Sequence, residues 1–242
     1  DVGRLLDGDV IFYNGLLLEG KMADALIRAG TAGKQVWAVT EELDPGFLLE
    51  PEEFEGLYDP HVWMDPSAWV GAVEAVRDRL IAHDGAGEAA YRANAEAYIV
   101  EIRALDAYAE RVLASVPVEQ RVLVTAHDAF NYFGRRYGFE VVGIQGLSTE
   151  SEAGVRDIEG MVDLLVERGV GAVFAESTVS GRNLEALIAG AGARGQAVVI
   201  GGSLFSDAMG EEGTYEGTYI GMIDHNVTAI VRALGGDAPE RG

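Results

Sequence analysis

The sequence predicts an α/β fold in two lobes, each a parallel sheet flanked by helices, with one long helix joining them. Three observations predict it. Short β-branched apolar runs alternate with segments of helical period, one helical pattern in mid-chain is far longer than its neighbours, and the alternation restarts after it.

The first lobe opens with a βαβ pattern. Val10-Ile-Phe-Tyr13 and Val36-Trp-Ala-Val39 read as buried strands, and Met22, Leu26 and Ile27 mark the helix between them, which Gly30 and Gly33 end. A polar loop with Pro45, Pro51 and several glutamates leads to Asp59-Pro-His-Val-Trp-Met-Asp-Pro66. Asp65 and Pro66 are a helix start, with Trp69, Val73, Val76 and Leu80 on one face.

After Gly85 and Gly87 comes the long pattern, Tyr91, Ala95, Tyr98, Ile102, Leu105, Ala109 and Val112, which Pro117 stops. A helix of about 28 residues spans roughly 40 Å, more than one small lobe requires. It reads as a spacer, with lobes over 1–86 and 117–242 and a linker over 87–116. A rigid helical linker allows less hinge closure than a flexible one. The competing reading is one more packing helix in a single domain.

The second lobe carries strands Val122–Thr125, Glu140–Ile144, Ala172–Ala175 and Val198–Ile200, the last opening onto Gly201-Gly-Ser-Leu-Phe-Ser-Asp207. Helices follow His127, run through Ile158 to Leu165 and Leu184 to Ile188, and close the chain over about Thr218–Leu234. The Tyr and Trp positions read as core.

Composition narrows the function. Forty acidic against eighteen basic residues give a net charge of −22, which repels nucleic acid and anionic membrane surfaces. Cysteine is absent, which excludes disulfides, thiolate metal sites and cysteine nucleophiles. The longest apolar runs are strand-length, far short of the roughly 20 residues of a spanning helix. The abrupt start at Asp1, with no signal segment, reads as a mature or truncated product.

Three side chains with metal-ligand chemistry stand at strand or loop ends: His61, His127 and Asp207. Two imidazoles and a carboxylate suit a divalent first-row metal, nitrogen for Zn²⁺ or Fe²⁺ and oxygen for the harder Mn²⁺. His61 reads equally as a turn histidine, and Asp207 as a capped turn before Gly210 and Gly213. His127 is the firmest of the three, because an apolar strand ends on it and Asp128 beside it offers an acceptor. Glu176, ending another strand, reads as an acceptor for an imidazole, with a fourth ligand or a plain loop carboxylate as alternatives. His83 is expected in solvent and His225 in a surface or packing role. No nucleophile elbow, Walker loop or dinucleotide fingerprint is present.

With these residues in view, the chain resembles the zinc and manganese solute-binding proteins of ABC transporters, cluster A-I. The stretches that carry the resemblance are Asp9–Glu19 (DVIFYNGLLLE), Asp59–Pro66 (DPHVWMDP), Thr125–Gly138, Phe174–Ser177 (FAES), Gly201–Gly210 (GGSLFSDAMG), Gly217–Tyr219 and His225–Asn226. The resemblance implies two α/β lobes joined by one long helix, with a metal held in the cleft between them by four side chains. His61, His127 and Asp207 match three of those ligands. The fourth, a histidine in an Asp-Pro-His segment, would lie upstream of Asp1, so a fragment of a longer precursor is expected. With neither a His-rich acidic loop nor a disulfide, and with Asp207 as an oxygen donor, the chain looks closer to the manganese or broad-specificity branch.

The expected function is capture of Mn²⁺ or Zn²⁺, with Fe²⁺ as a further candidate, in the periplasm or by a membrane-anchored extracytoplasmic protein, and delivery to an ABC permease by a monomer. Two readings compete with it. One is a metal-dependent hydrolase with Glu176 as base to a metal-bound water, and the other an adhesin with incidental metal.

Overall fold

A computed structural model describes residues 5, 7–51, 56–147 and 154–239. Glutamates 52, 53 and 55 of the polar loop, and the end of the second lobe beyond 239, lie outside them. The chain divides into two compact units, Asp1–Arg103 and Ala104–Gly242. Among the described residues no helix is long and apolar enough to cross a membrane.

In the first unit, β1 (Val10–Tyr13) pairs in parallel with β2 (Gln35–Ala38), Val10 opposite Gln35 and Tyr13 opposite Ala38. Helix α1 (Ala23–Thr31) makes the crossover and buries Ala25, Leu26 and Ala29. Met22 and Ile27, expected on the buried face, are instead 44% and 66% exposed. At 100° per residue, positions 25, 26 and 29 form one stripe, and Ile27 points away from it. Gly33 supplies the left-handed turn after the helix (φ +88°), whereas Gly30 lies inside its last turn.

Helix α2 (Pro66–His83) starts as the sequence requires, with Asp65 Oδ1 accepting from the Ser67 N–H at 2.9 Å and Pro66 in the first turn. Its deepest residues are Pro66, Ala68 and Ala72, while the expected face of Trp69, Val73, Val76 and Leu80 is only half-buried. Small side chains let this helix approach its neighbours closely. At Gly71 an added Cβ would sit 2.5 Å from Leu43 Cδ2. Helix α3 (Glu88–Leu113) carries the long stripe and also buries Ile99 and Tyr108.

In the second unit, β3 (Val122–His127), β4 (Glu140–Gln145), β5 (Ala172–Glu176) and β6 (Val199–Leu204) form one parallel sheet in the order β4-β3-β5-β6. Helices α4 (Asn131–Tyr137), α5 (Val155–Arg168), α6 (Arg182–Ala193) and α7 (Tyr219–Ala233) connect and follow the strands. Every residue of β3 is buried, as expected of a central strand covered on both faces. Val124, Leu165, Val173, Leu184 and Leu187 form the middle of the core.

The last strand departs from expectation. It runs through Gly201 and Gly202 instead of ending before them, and as an edge strand it leaves Val199 62% and Ile200 52% exposed. Gly201 serves close packing, since an added Cβ would lie 2.6 Å from Ala233 Cβ and 3.0 Å from the Phe174 ring. Nor are all aromatic positions core. Tyr58 and Tyr215 are exposed, the latter donating its hydroxyl to Asp224 Oδ2 at 2.7 Å. His225 packs, its ring 4.9 Å from Phe205 and its Nε2 2.9 Å from the Ser203 carbonyl, and His83 is exposed.

The strand order places the ligand crevice. From β3 the chain passes outward to β4, then crosses to β5 and continues outward to β6, so the order reverses between β3 and β5. In open parallel sheets that reversal opens a crevice at the carboxyl ends of the two strands. His127 ends β3 and Glu176 ends β5.

Gly143 keeps that end compact. A Cβ there would meet the Asp128 nitrogen at 2.6 Å and Asp128 Cα at 2.7 Å, both backbone atoms. Gly143→Ala is expected to cost about 1–3 kcal/mol by overpacking, read as a fall in thermal midpoint.

Candidate metal centre

In the first unit, His61 is 1% and Asp59 0% exposed. Asp59 Oδ1 accepts the His61 backbone N–H at 2.9 Å and lies 2.7 Å from His61 Nδ1. An Asp two residues ahead of a turn naturally captures that N–H, and here the same oxygen also orients the ring. The ring packs edge-on against Trp63, centroids 5.2 Å apart. Asn14 at the end of β1 donates through Nδ2 to the Pro60 carbonyl at 3.0 Å, tying the turn to the sheet. With Nδ1 on a carboxylate, Nε2 is the nitrogen that would ligate a metal.

In the second unit, Glu176 performs the same service for His127. Its Oε1 accepts the His127 backbone N–H at 2.8 Å, and its Oε2 lies 2.5 Å from His127 Nδ1. Both side chains are fully buried. Across the ring, Asp207 Oδ1 stands 3.3 Å from His127 Nε2, its side chain 27% exposed. The segment before Asp207 is fixed by Asn226, which accepts from the Phe205 N–H at 2.9 Å and donates to the Phe205 carbonyl at 2.7 Å. Ser206 and Thr178 hydroxyls meet at 3.2 Å.

Burial alone would lower the pKa of His127, but the carboxylates of Asp207 and Glu176 outweigh it and push the ring up to about 9. Without metal, Nε2 therefore holds a proton toward Asp207. A divalent ion carrying more charge than that proton would take its place between the imidazole and the carboxylate.

The structure thus brings His127, Asp207 and Glu176 together within the second unit, and within the first unit it sets His61 in a carboxylate-braced turn. Asp128 lies at the corner after β3, its backbone N–H directed to the Gly146 carbonyl at 3.5 Å, and the carboxylate on His127 Nδ1 is that of Glu176. Asp59 and Asn226 lie in stretches that carry the resemblance, but the sequence reading gave neither a role. The Asp-x-His spacing was the available signal for Asp59, whereas the contacts of Asn226 with Phe205 span 21 positions and no local pattern encodes them.

Glu176→Gln gives a direct test of the brace. Glu176 meets the backbone N–H and Nδ1 through two different oxygens, and the amide replaces one of them with an NH2 donor, so the ring loses its fixed tautomer. Metal affinity is expected to fall about 10–100-fold, measured by calorimetric titration.

A buried parallel-sheet switch point bearing an imidazole braced by one carboxylate and facing another has the donor chemistry that suits a divalent cation. The family model described as the periplasmic zinc-uptake complex component A matches residues 1–233, and the chain belongs to that family. It is 45% identical over 234 residues to the manganese-binding lipoprotein MntA of Bacillus subtilis, covering 97% of this chain and 76% of that protein. It is equally 45% identical to the zinc-binding protein TroA of Treponema pallidum, covering 97% and 75%. The solved structure of that periplasmic zinc-binding TroA superposes with a TM-score of 0.92 over 97% of this chain and 83% of that one. The iron-binding protein YfeA of Yersinia pestis is 31% identical over 239 residues, covering 97% and 73%.

Proposed function

We propose that this protein captures a divalent transition metal, Mn²⁺ or Zn²⁺, outside the cytoplasmic membrane and hands it to an ABC permease. The observation that carries the reading is His127 at the sheet's switch point, with Glu176 on Nδ1 and Asp207 across Nε2. Relatives named for binding manganese, zinc and iron support the range of metals, and membership of an uptake family leaves the hydrolase reading without support.

His61, His127 and Asp207 are the proposed ligands, with Asp59 and Glu176 as the acceptors that fix both rings as Nε2 donors and Asp128 as a nearby polar group. Residues 87–116 are the proposed linker between lobes 1–86 and 117–242, and the protein acts as a monomer. Capture needs no bond to be made or broken in a substrate. Imidazole nitrogens favour borderline ions such as Zn²⁺, while the Asp207 oxygen admits Mn²⁺.

Thermal unfolding of the metal-stripped protein titrated with each ion tests this. Metal binding only the folded state at about a hundred times its Kd adds roughly 2.7 kcal/mol, a saturable rise in midpoint. The absence of a rise with every ion tried would overturn the reading.

A further inference from the structure

Gln145 ends β4 and is 7% exposed, and its Oε1 is buried with no hydrogen-bond partner among the described residues. A buried acceptor left unmatched keeps its full desolvation penalty, and a leucine or methionine of similar size would avoid that cost. The position is not remote from the site. Gln145 pairs in register with His127, and Thr125 pairs with Phe174, which sets His127 level with Glu176. Residues level across neighbouring strands project to the same face of a sheet. Gln145, His127 and Glu176 therefore form one polar row along the carboxyl ends of β4, β3 and β5, where ligands of such sheets are held.

Within that row the His127 backbone N–H and Nδ1 are matched to Glu176, and among the described residues the amide oxygen of Gln145 has nothing to accept. We propose that Gln145 Oε1 belongs to the metal-capture site, as a neutral oxygen that accepts a hydrogen bond from water carried by the bound ion and so favours Mn²⁺ over Zn²⁺. The inference rests on the metal-capture reading above. Mn²⁺ prefers oxygen-rich, six-coordinate surroundings and keeps water where protein ligands are few, whereas Zn²⁺ is satisfied by four ligands. An acceptor for coordinated water thus helps the first ion more than the second.

The test compares Mn²⁺ and Zn²⁺ affinities, by competition with a chelator, for the wild-type chain and for Gln145→Leu, Gln145→Met and Gln145→Glu, with the thermal midpoint of each metal-free protein. The expected result is that Leu and Met leave the metal-free midpoint unchanged or raise it, weaken Mn²⁺ at least tenfold and Zn²⁺ less than threefold, and that Glu, keeping an oxygen acceptor, restores Mn²⁺ binding. The methionine variant guards against a branched side chain that does not fit. Unchanged affinities in the Leu and Met variants would overturn the proposal, as would equal losses for both ions accompanied by a lower midpoint, the mark of a packing role. Failure of the wild-type chain to bind either ion would be a separate result, overturning the capture reading and this inference with it.

Discussion

Replacing His127 with alanine is expected to abolish saturable metal binding and to destabilise the metal-free protein as well. The two effects have different origins. Binding is lost because the imidazole is the nitrogen donor facing Asp207 across 3.3 Å. Stability is lost because Glu176, 5% exposed, would keep a buried carboxylate oxygen with no Nδ1–H beside it. Breaking a buried pair by removing one partner costs about 3–5 kcal/mol. His127→Gln separates the effects, since its amide can still donate to Glu176 while offering no imidazole. That variant should recover most of the stability and still bind at least about a hundredfold more weakly, a loss of roughly 2.8 kcal/mol. Unfolding curves and calorimetric titration of both variants read the two quantities independently.

The second large effect is pH dependence, and two observables should move in opposite directions over one window. The His127 pKa is raised from 6.5 to about 9 in the folded protein. A group raised on folding contributes stability that is fully present below its unfolded pKa and is lost as pH rises through the folded one. The metal-free protein should therefore lose stability between about pH 6.5 and 9, by on the order of 3 kcal/mol at most. Metal binding needs the neutral ring, so each captured ion releases a proton. Apparent affinity should rise up to about tenfold per pH unit toward 9 and then level. Thermal midpoints with and without metal across this range, with His127→Gln as the control that lacks the step, check both slopes. Falling stability and rising affinity in the same window would identify one titrating group as the cause.

What could be read from the sequence followed from how local the signal was. The alternation of strands and helices was legible because period-2 and period-3.6 patterns are written into neighbouring residues, and His127 was legible because an apolar run breaks on it. Helix faces were read less well. Met22 and Ile27 are apolar yet exposed, and Ala25, Ala29, Ala68 and Ala72 carry the buried contacts because small residues allow close approach. The edge position of β6 depends on the strand order, which no local pattern encodes, so Val199 and Ile200 looked like core. Around the candidate site, the ligand types could be named, and Glu176 as an acceptor for an imidazole, but not which ring it braces or through which atoms. Glu176 stands 49 positions from His127, and only the level pairing of β3 with β5 brings its carboxylate to Nδ1. Asp59 lay within reach of a local argument, because a side-chain oxygen two residues before a turn takes the N–H at that turn.

The central proposal is that His61, His127 and Asp207 are ligands of one divalent ion. Anomalous diffraction from crystals of the chain grown with Mn²⁺, recorded on either side of the manganese edge, tests it most directly. The account predicts a single strong peak about 2.0–2.3 Å from the Nε2 atoms of His61 and His127 and from a carboxylate oxygen of Asp207. A peak bonded to other residues, or no peak at a concentration that raises the thermal midpoint, would contradict it.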